Sequence, residues 1–190
     1  MSQRLRTFLA VELDLMVRKR ALDLIKQLQA TPAKVRWVAA ENLHFTLQFL
    51  GEVAVEQTVR VCQALETALA PLVPFEIEVG GAGAFPSARA PRIVWLGLTR
   101  GQDAMRQLHT AIGQALEPFG FREENRQYRP HLTLGRVRGA QETDALGEAI
   151  AAQARFEAGS MFVDEVTLFS SDLHSNGPEY TVLAHVGLGG

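Results

Sequence analysis

A single cysteine, Cys62, stands among 190 residues, so no disulfide can close within the chain, and a reducing compartment, the cytoplasm, is expected. Long apolar runs are missing too: none approaches the roughly 18 residues that would span a bilayer. The opening "MSQRLRTFLAVELDL" sets basic residues before apolar ones, but Glu12 and Asp14 break the run too early for a secretion signal. Its alternation suits a strand. An excess of charge of one sign is lacking: 19 basic residues against 21 acidic give a net −2 and no global pull toward a polyanion. The motifs of several chemistries are also absent. There is no H-E-x-x-H or cysteine cluster for zinc, and no carboxylate beside the motifs described below. "GGAGAF" (Gly80–Phe85) matches neither a phosphate-cradling loop nor a dinucleotide fingerprint, and no G-x-S-x-G elbow occurs. Neither metal nor cofactor is expected.

What is present is an apolar fraction of 47% with mean hydropathy near zero, enough for a globular core in a chain of this length. Helical periodicity runs through four segments. Val17, Ala21, Leu24 and Leu28 form the first stripe, with Asp14 as N-cap; Thr58, Cys62, Leu65, Leu69 and Leu72 form the second. Met105, Leu108, Ile112, Leu116 and Phe119 form the third, with Gly120 as its C-terminal cap, and a shorter helix starts near Thr143. Strand-like stretches lie at 7–13, 35–38, 44–50, 75–79, 93–98, 131–137, 161–170 and 180–188, with "GGAGAFPSARAP" and "SNGP" as turn material. The order β-α-β-β-α, β-β-α-β-α, β-β suggests one unit used twice. The fold expected is α+β, a single domain of two pseudo-symmetric lobes. Each is a mainly antiparallel sheet with helices on its outer face, and a groove lies between them. A terminal lobe would span about residues 1–72 plus 156–190, and a central lobe about residues 73–155.

Each unit presents the same short pattern. "HFTL" begins at His44 and "HLTL" at His131. Random placement of this chain's histidines and threonines predicts roughly 0.3 His-x-Thr pairs, so two, both followed by leucine in strand-like runs, are informative. Alternation along a strand puts His44, Thr46 and Gln48 on one face and Phe45, Leu47 and Phe49 on the other; His131 and Thr133 likewise oppose Leu132 and Leu134. Positions i and i+2 are about 6.6 Å apart, so an imidazole and a hydroxyl can touch one phosphate-sized group. Two histidines facing each other across a groove suit in-line displacement at phosphorus. One, neutral, takes a proton from the nucleophile while the other, protonated, gives one to the leaving oxygen. The threonine hydroxyls would hold the non-bridging oxygens.

From 125 to 141 the chain carries Arg126, Arg129, Arg136 and Arg138 and no carboxylate, a stretch that reads as a solvated rim or as an anion site. Arg136 has the opposite parity to His131, so a regular strand points it away from the groove unless Gly135 permits a bulge. Trp37, Phe85 and Trp95 are candidates for stacking a base, with core burial favoured for Trp95. His109 reads as structural, His174 as solvated and His185 as a sheet-packing residue.

With its paired H-x-T-x motifs, the chain resembles the two-histidine phosphoesterase superfamily, and more narrowly the RNA 2′,3′-cyclic phosphodiesterases of the LigT/ThpR type. "RTFLAVEL", "VRWVAAENLHFTLQFLGEV", "GAFPSARAPRIVWLGL", "YRPHLTLGRV" and "LFSSDLHSNGPEYTVL" read as that family's blocks, in order, over essentially the whole chain. The resemblance implies a two-lobed fold with both termini in one lobe. It implies metal-independent hydrolysis of terminal 2′,3′-cyclic phosphates to 2′-phosphomonoesters, and the reverse joining of RNA through a 2′,5′ linkage. It makes His44 the proton donor, His131 the proton acceptor, and Thr46, Thr133 and Arg136 phosphate contacts. The substrates it implies are RNA ends, tRNA fragments among them, with a small cyclic nucleotide as the alternative, acted on by a monomer with no membrane partner. A pI of about 6.2 keeps the small nucleotide in play, because avid RNA binders are usually basic. A non-catalytic RNA- or nucleotide-binding module is the rival outside enzymes.

Overall fold

The computed structural model describes residues 3–121, 127–139, 141–174 and 177–189. In chain order its elements are β1 (Arg4–Glu12), α1 (Leu15–Leu28), β2 (Val35–Trp37), β3 (His44–Ala54), α2 (Val55–Leu69), β4 (Phe75–Ser87), β5 (Ala90–Arg100), α3 (Gln102–Leu116), β6 (Leu132–Val137), α4 (Thr143–Ala152), β7 (Glu157–Val163), β8 (Glu165–His174) and β9 (Gly177–Gly187). The helices form for the reasons their stripes announce. Asp14 accepts a hydrogen bond from the Val17 amide at 2.7 Å, satisfying one orphan donor at the start of α1, and Val17, Ala21, Leu24 and Leu28 are buried. Gly120, with φ +85, takes the left-handed conformation that ends the 3₁₀ turn after α3.

Eight strands follow one path, β7-β4-β5-β6-β3-β1-β8-β9, with β2 pairing on β6 as well, and every pairing is antiparallel. The sheet curls into a half-barrel. Its two halves meet where β3 and β6 share a single residue pair, Phe45 with Leu132. On one half, α1 packs against β7 and α4 against β4 and β5; on the other, α2 packs against β3, β9 and α3, and α3 against β3. The apolar face of the sheet, with Leu9, Phe45, Leu96 and Leu132 fully buried, lies under these helices. The opposite, concave face is left for the polar residues. Among the described residues no helix is long and apolar enough to cross a membrane.

Two stretches differ from their sequence pattern. The run 161–170 is two strands, β7 and β8, parted at Asp164. The glycine-rich run expected to be turn material is mostly strand, because β4 continues to Ser87 and pairs with β5. The cause is cross-strand. Trp95 lies flat over Gly83, and a Cβ on Gly83 would collide with the indole ring. Glycine is there to make room for the ring, not to turn the chain.

Candidate active site

The pair Phe45–Leu132 faces the core, so the residues on either side of it face the groove. Extending this register by one residue in each direction sets His44 opposite Thr133 and Thr46 opposite His131. The two histidines flank that single pair, one on each strand. Both imidazoles are held in the same way. Nδ1–H of His44 donates to the Asn42 carbonyl at 2.8 Å, and Nδ1–H of His131 donates to the Arg129 carbonyl at 2.7 Å. A carbonyl only accepts, so Nδ1 carries the proton and Nε2 of each neutral ring is the free base. The Thr46 hydroxyl donates to Nε2 of His44 at 3.0 Å.

Both motif strands bulge just after the threonine. On β3, Thr46 pairs with Ala10 but Gln48 pairs with Leu9, leaving Leu47 as an extra residue. On β6, Thr133 pairs with Trp95 and Gly135 with Val94, leaving Leu134 extra. A bulge reverses the alternation beyond it. Arg136 is thereby returned to the face of Thr133, as the sequence required if it was to enter the groove. The same reversal corrects the sequence reading of β3: Gln48 turns into the core, 6% exposed, and Phe49 turns out into the groove, 58% exposed. Phe49 and Arg136 thus hold equivalent places, five residues after each histidine. Gly135 is needed because a Cβ there would lie 2.7 Å from Val35 and 2.8 Å from the Trp37 ring.

A cavity of about 1010 Å³ opens on this face, lined by His44, Thr46, Phe49, Thr133, Arg136 and Tyr180 among others. His131 is not in that lining; it stands beside Thr133, its ring edge-on to Phe85 at 5.1 Å. The lining also holds Arg6, Arg36 and Arg138, against the carboxylates of Glu41 and Glu179. Of the arginine run seen in the sequence, Arg136 and Arg138 reach the cavity, Arg129 contributes its carbonyl, and Arg126 lies outside the described residues. Trp37 lines the cavity, whereas Trp95 packs against Phe85 and Gly83. His109 stacks on Tyr128 at 4.1 Å, and the Tyr128 hydroxyl donates to the Thr46 carbonyl, bracing the motif strand from behind. His174 lines the cavity and lies 3.5 Å from Glu179.

His185 differs from its sequence reading, because its Nδ1 lies 3.0 Å from Glu165 and 3.9 Å from Glu12 rather than merely packing on the sheet. The ligating atoms of Glu12, Glu165 and His185 lie within 4.8 Å of one another, a set able to hold a metal ion that spacing could not reveal, since each comes from a different strand. The Thr167 hydroxyl donates to Glu12 at 3.0 Å, and Glu12 stands opposite His44 in register.

Burial against Phe8, Phe169 and Tyr180 lowers the pKa of His44 to about 4, opposed by the bond to Asn42 and the charge of Glu12. Burial also lowers that of His131; the Arg129 bond raises it, and the Arg136 charge lowers it further. Tyr180 is pushed up by burial, with the charges of Arg136 and Arg6 pulling the other way. Two neutral imidazoles, two hydroxyls and several cations on one concave face can bind a phosphate and exchange protons on both sides of it.

The family model described as the 2′-5′ RNA ligase superfamily matches residues 17–175. An RNA 2′,3′-cyclic phosphodiesterase of Methanothermobacter thermautotrophicus is 40% identical over 178 residues, 94% of this chain and 96% of that protein. One from Aquifex aeolicus is 32% identical over 82% of each chain. Among solved structures, Escherichia coli LigT complexed with 3′-AMP matches with a TM-score of 0.77 at 29% identity, covering 98% of this chain and 99% of that one. The protein TT0787 of Thermus thermophilus matches with a TM-score of 0.81 at 24% identity, over 97% and 98%, a likeness of fold.

Proposed function

The chain belongs to the 2′-5′ RNA ligase superfamily, and from that premise we propose that it hydrolyses the 2′,3′-cyclic phosphate at the 3′ end of RNA to a 2′-phosphomonoester. The observation that carries this reading is the meeting of the two His-x-Thr strands at Phe45–Leu132, with both imidazoles pinned through Nδ1 and Nε2 of His44 already in contact with the hydroxyl of its own motif. Nε2 of His131 takes a proton from water as its oxygen attacks phosphorus. The bond to the 3′ oxygen breaks, and Nε2–H of His44 delivers a proton to that oxygen. Thr46 and Thr133 donate to the non-bridging oxygens, and Arg136 neutralises the charge that grows on them. A ribose 5′-hydroxyl in the place of water gives a 2′,5′ linkage by the same proton movements. The protein acts as a cytoplasmic monomer, and no step calls on a metal.

Product analysis tests the proposal. An oligonucleotide ending in a 2′,3′-cyclic phosphate, incubated with the protein and EDTA, yields a 2′-phosphate end. A 3′-phosphate end would refute the leaving-group assignment. Loss of turnover in EDTA, restored by zinc or manganese, would transfer the chemistry to a metal set such as Glu12, Glu165 and His185.

A further inference from the structure

We infer that Arg36 forms a second anion subsite, for the phosphodiester that joins the terminal nucleotide of the substrate to the one before it, so that the groove favours an oligonucleotide over a cyclic mononucleotide. The inference rests on the function proposed above and names the substrate class of the same site. Arg36 on β2 is paired in register with Arg136 on β6, two like charges directly opposite each other. Such a pair destabilises a sheet, so the stability of the fold does not account for it. Both line the cavity, as do Arg6 and Arg138, and none of the four guanidiniums has a hydrogen bond or ion pair among the described residues. The lining therefore carries four arginines against Glu41 and Glu179, in a chain whose net charge is −2. Positive charge has been gathered here against the overall balance, and what neutralises it must come from outside.

Position decides which anion Arg36 receives. His44, Thr46, His131 and Thr133 surround one phosphate, and Arg136 follows Thr133 on the same face after the bulge. Arg36 stands opposite Arg136, three residues beyond Thr133 along β6 and on the same side of that strand as β3, displaced from the Phe45–Leu132 junction that the motif histidines flank. A mononucleoside cyclic phosphate offers only a 5′-hydroxyl at that distance; an oligonucleotide offers a phosphodiester. The guanidinium is also confined. Its Nη2 lies 3.0 Å from where a Cβ on Gly177 would stand, and that glycine begins β9, whose Pro178 carbonyl accepts from the Asn42 amide at 2.9 Å. At about 1010 Å³ the cavity is at the upper end for a single small ligand, with room for more than one nucleotide.

The test separates the extra phosphate from the extra base. Equilibrium binding is measured for adenosine 2′-phosphate and adenosine 2′,5′-bisphosphate, and kcat/KM for adenosine 2′,3′-cyclic phosphate with and without a 5′-phosphate. The native protein prefers each 5′-phosphorylated partner about 10-fold, the scale of one charged hydrogen bond. Arg36→Ala removes the preference, Arg36→Lys keeps part of it, and Arg106→Ala, which deletes the same charge on α3, leaves the ratio alone. The bisphosphate also shows a salt dependence steeper by about one ion, and Arg36→Ala abolishes that difference. No preference in the native protein, or a ratio untouched by Arg36→Ala, overturns the inference; equal weakening of both ligands assigns Arg36 to the terminal phosphate or to the fold. Binding needs no turnover. A protein that shows the preference but hydrolyses nothing therefore fails the proposed function alone, and one that hydrolyses both substrates alike fails the subsite alone.

Discussion

His44 is proposed as the acid, yet burial holds its pKa at about 4. At pH 7 such an imidazole is protonated about one time in a thousand. The substrate must close that gap. Half-protonation at pH 7 requires a shift of about 3 units, or about 4 kcal/mol. One negative charge about 4 Å from the ring supplies about 4 kcal/mol at an effective dielectric of about 20, so a single phosphodiester anion in contact with Nε2 suffices. The perturbation is substrate binding without turnover: adenosine 2′,3′-cyclic phosphate added to the His131→Ala protein. The assay is an NMR titration of the His44 ring with and without this ligand. We expect the pKa to rise from about 4 to about 7. A rise of less than about one unit at saturation would show that the anion does not charge His44, and the acid would have to be sought elsewhere.

The pH dependence of kcat/KM follows from the same burial. On the proposed roles the free protein holds His44 protonated and His131 neutral, so the rate should peak between their two lowered pKa values and fall on either side, placing the optimum on the acid side of 6.5; a profile flat from pH 5 to 9 contradicts this. A substrate with a low-pKa leaving group largely rescues His44→Ala and does not rescue His131→Ala. The opposite pattern would exchange their roles. The core change Gln48→Leu should stabilise the protein by about 1–3 kcal/mol, because both polar atoms of that buried amide lack a partner among the described residues. Thermal unfolding reads this directly, and an unchanged or lower midpoint would mean that the amide is satisfied.

Much of the site was legible because its signals are local. The two His-x-Thr patterns, the helix stripes and the cap at Asp14 each rest on neighbours within a few residues, and the structure keeps them. The faces of Gln48, Phe49 and Arg136 were not legible. They depend on bulges at Leu47 and Leu134, which exist only in the register that β1 and β5 impose from distant parts of the chain. Glu12 and Arg36 went unmarked for the same reason. Glu12 gains meaning beside His44, and Arg36 beside Arg136, only once the strands are laid together. The repeated leucine after each threonine was visible as a pattern, but its task as the extra residue was not. The glycines of β4 misled because their reason, the ring of Trp95, sits on another strand.

The ladder is weakest where the chemistry is placed. β3 pairs with β1 along nearly its whole length, but with β6 through Phe45 and Leu132 alone. With so little ladder between them, the two motif strands keep their spacing through the packing beneath, where α3, which follows β5, rests on β3 and on α2. The distance between the two imidazoles is therefore set by the helices under the sheet as much as by the sheet itself.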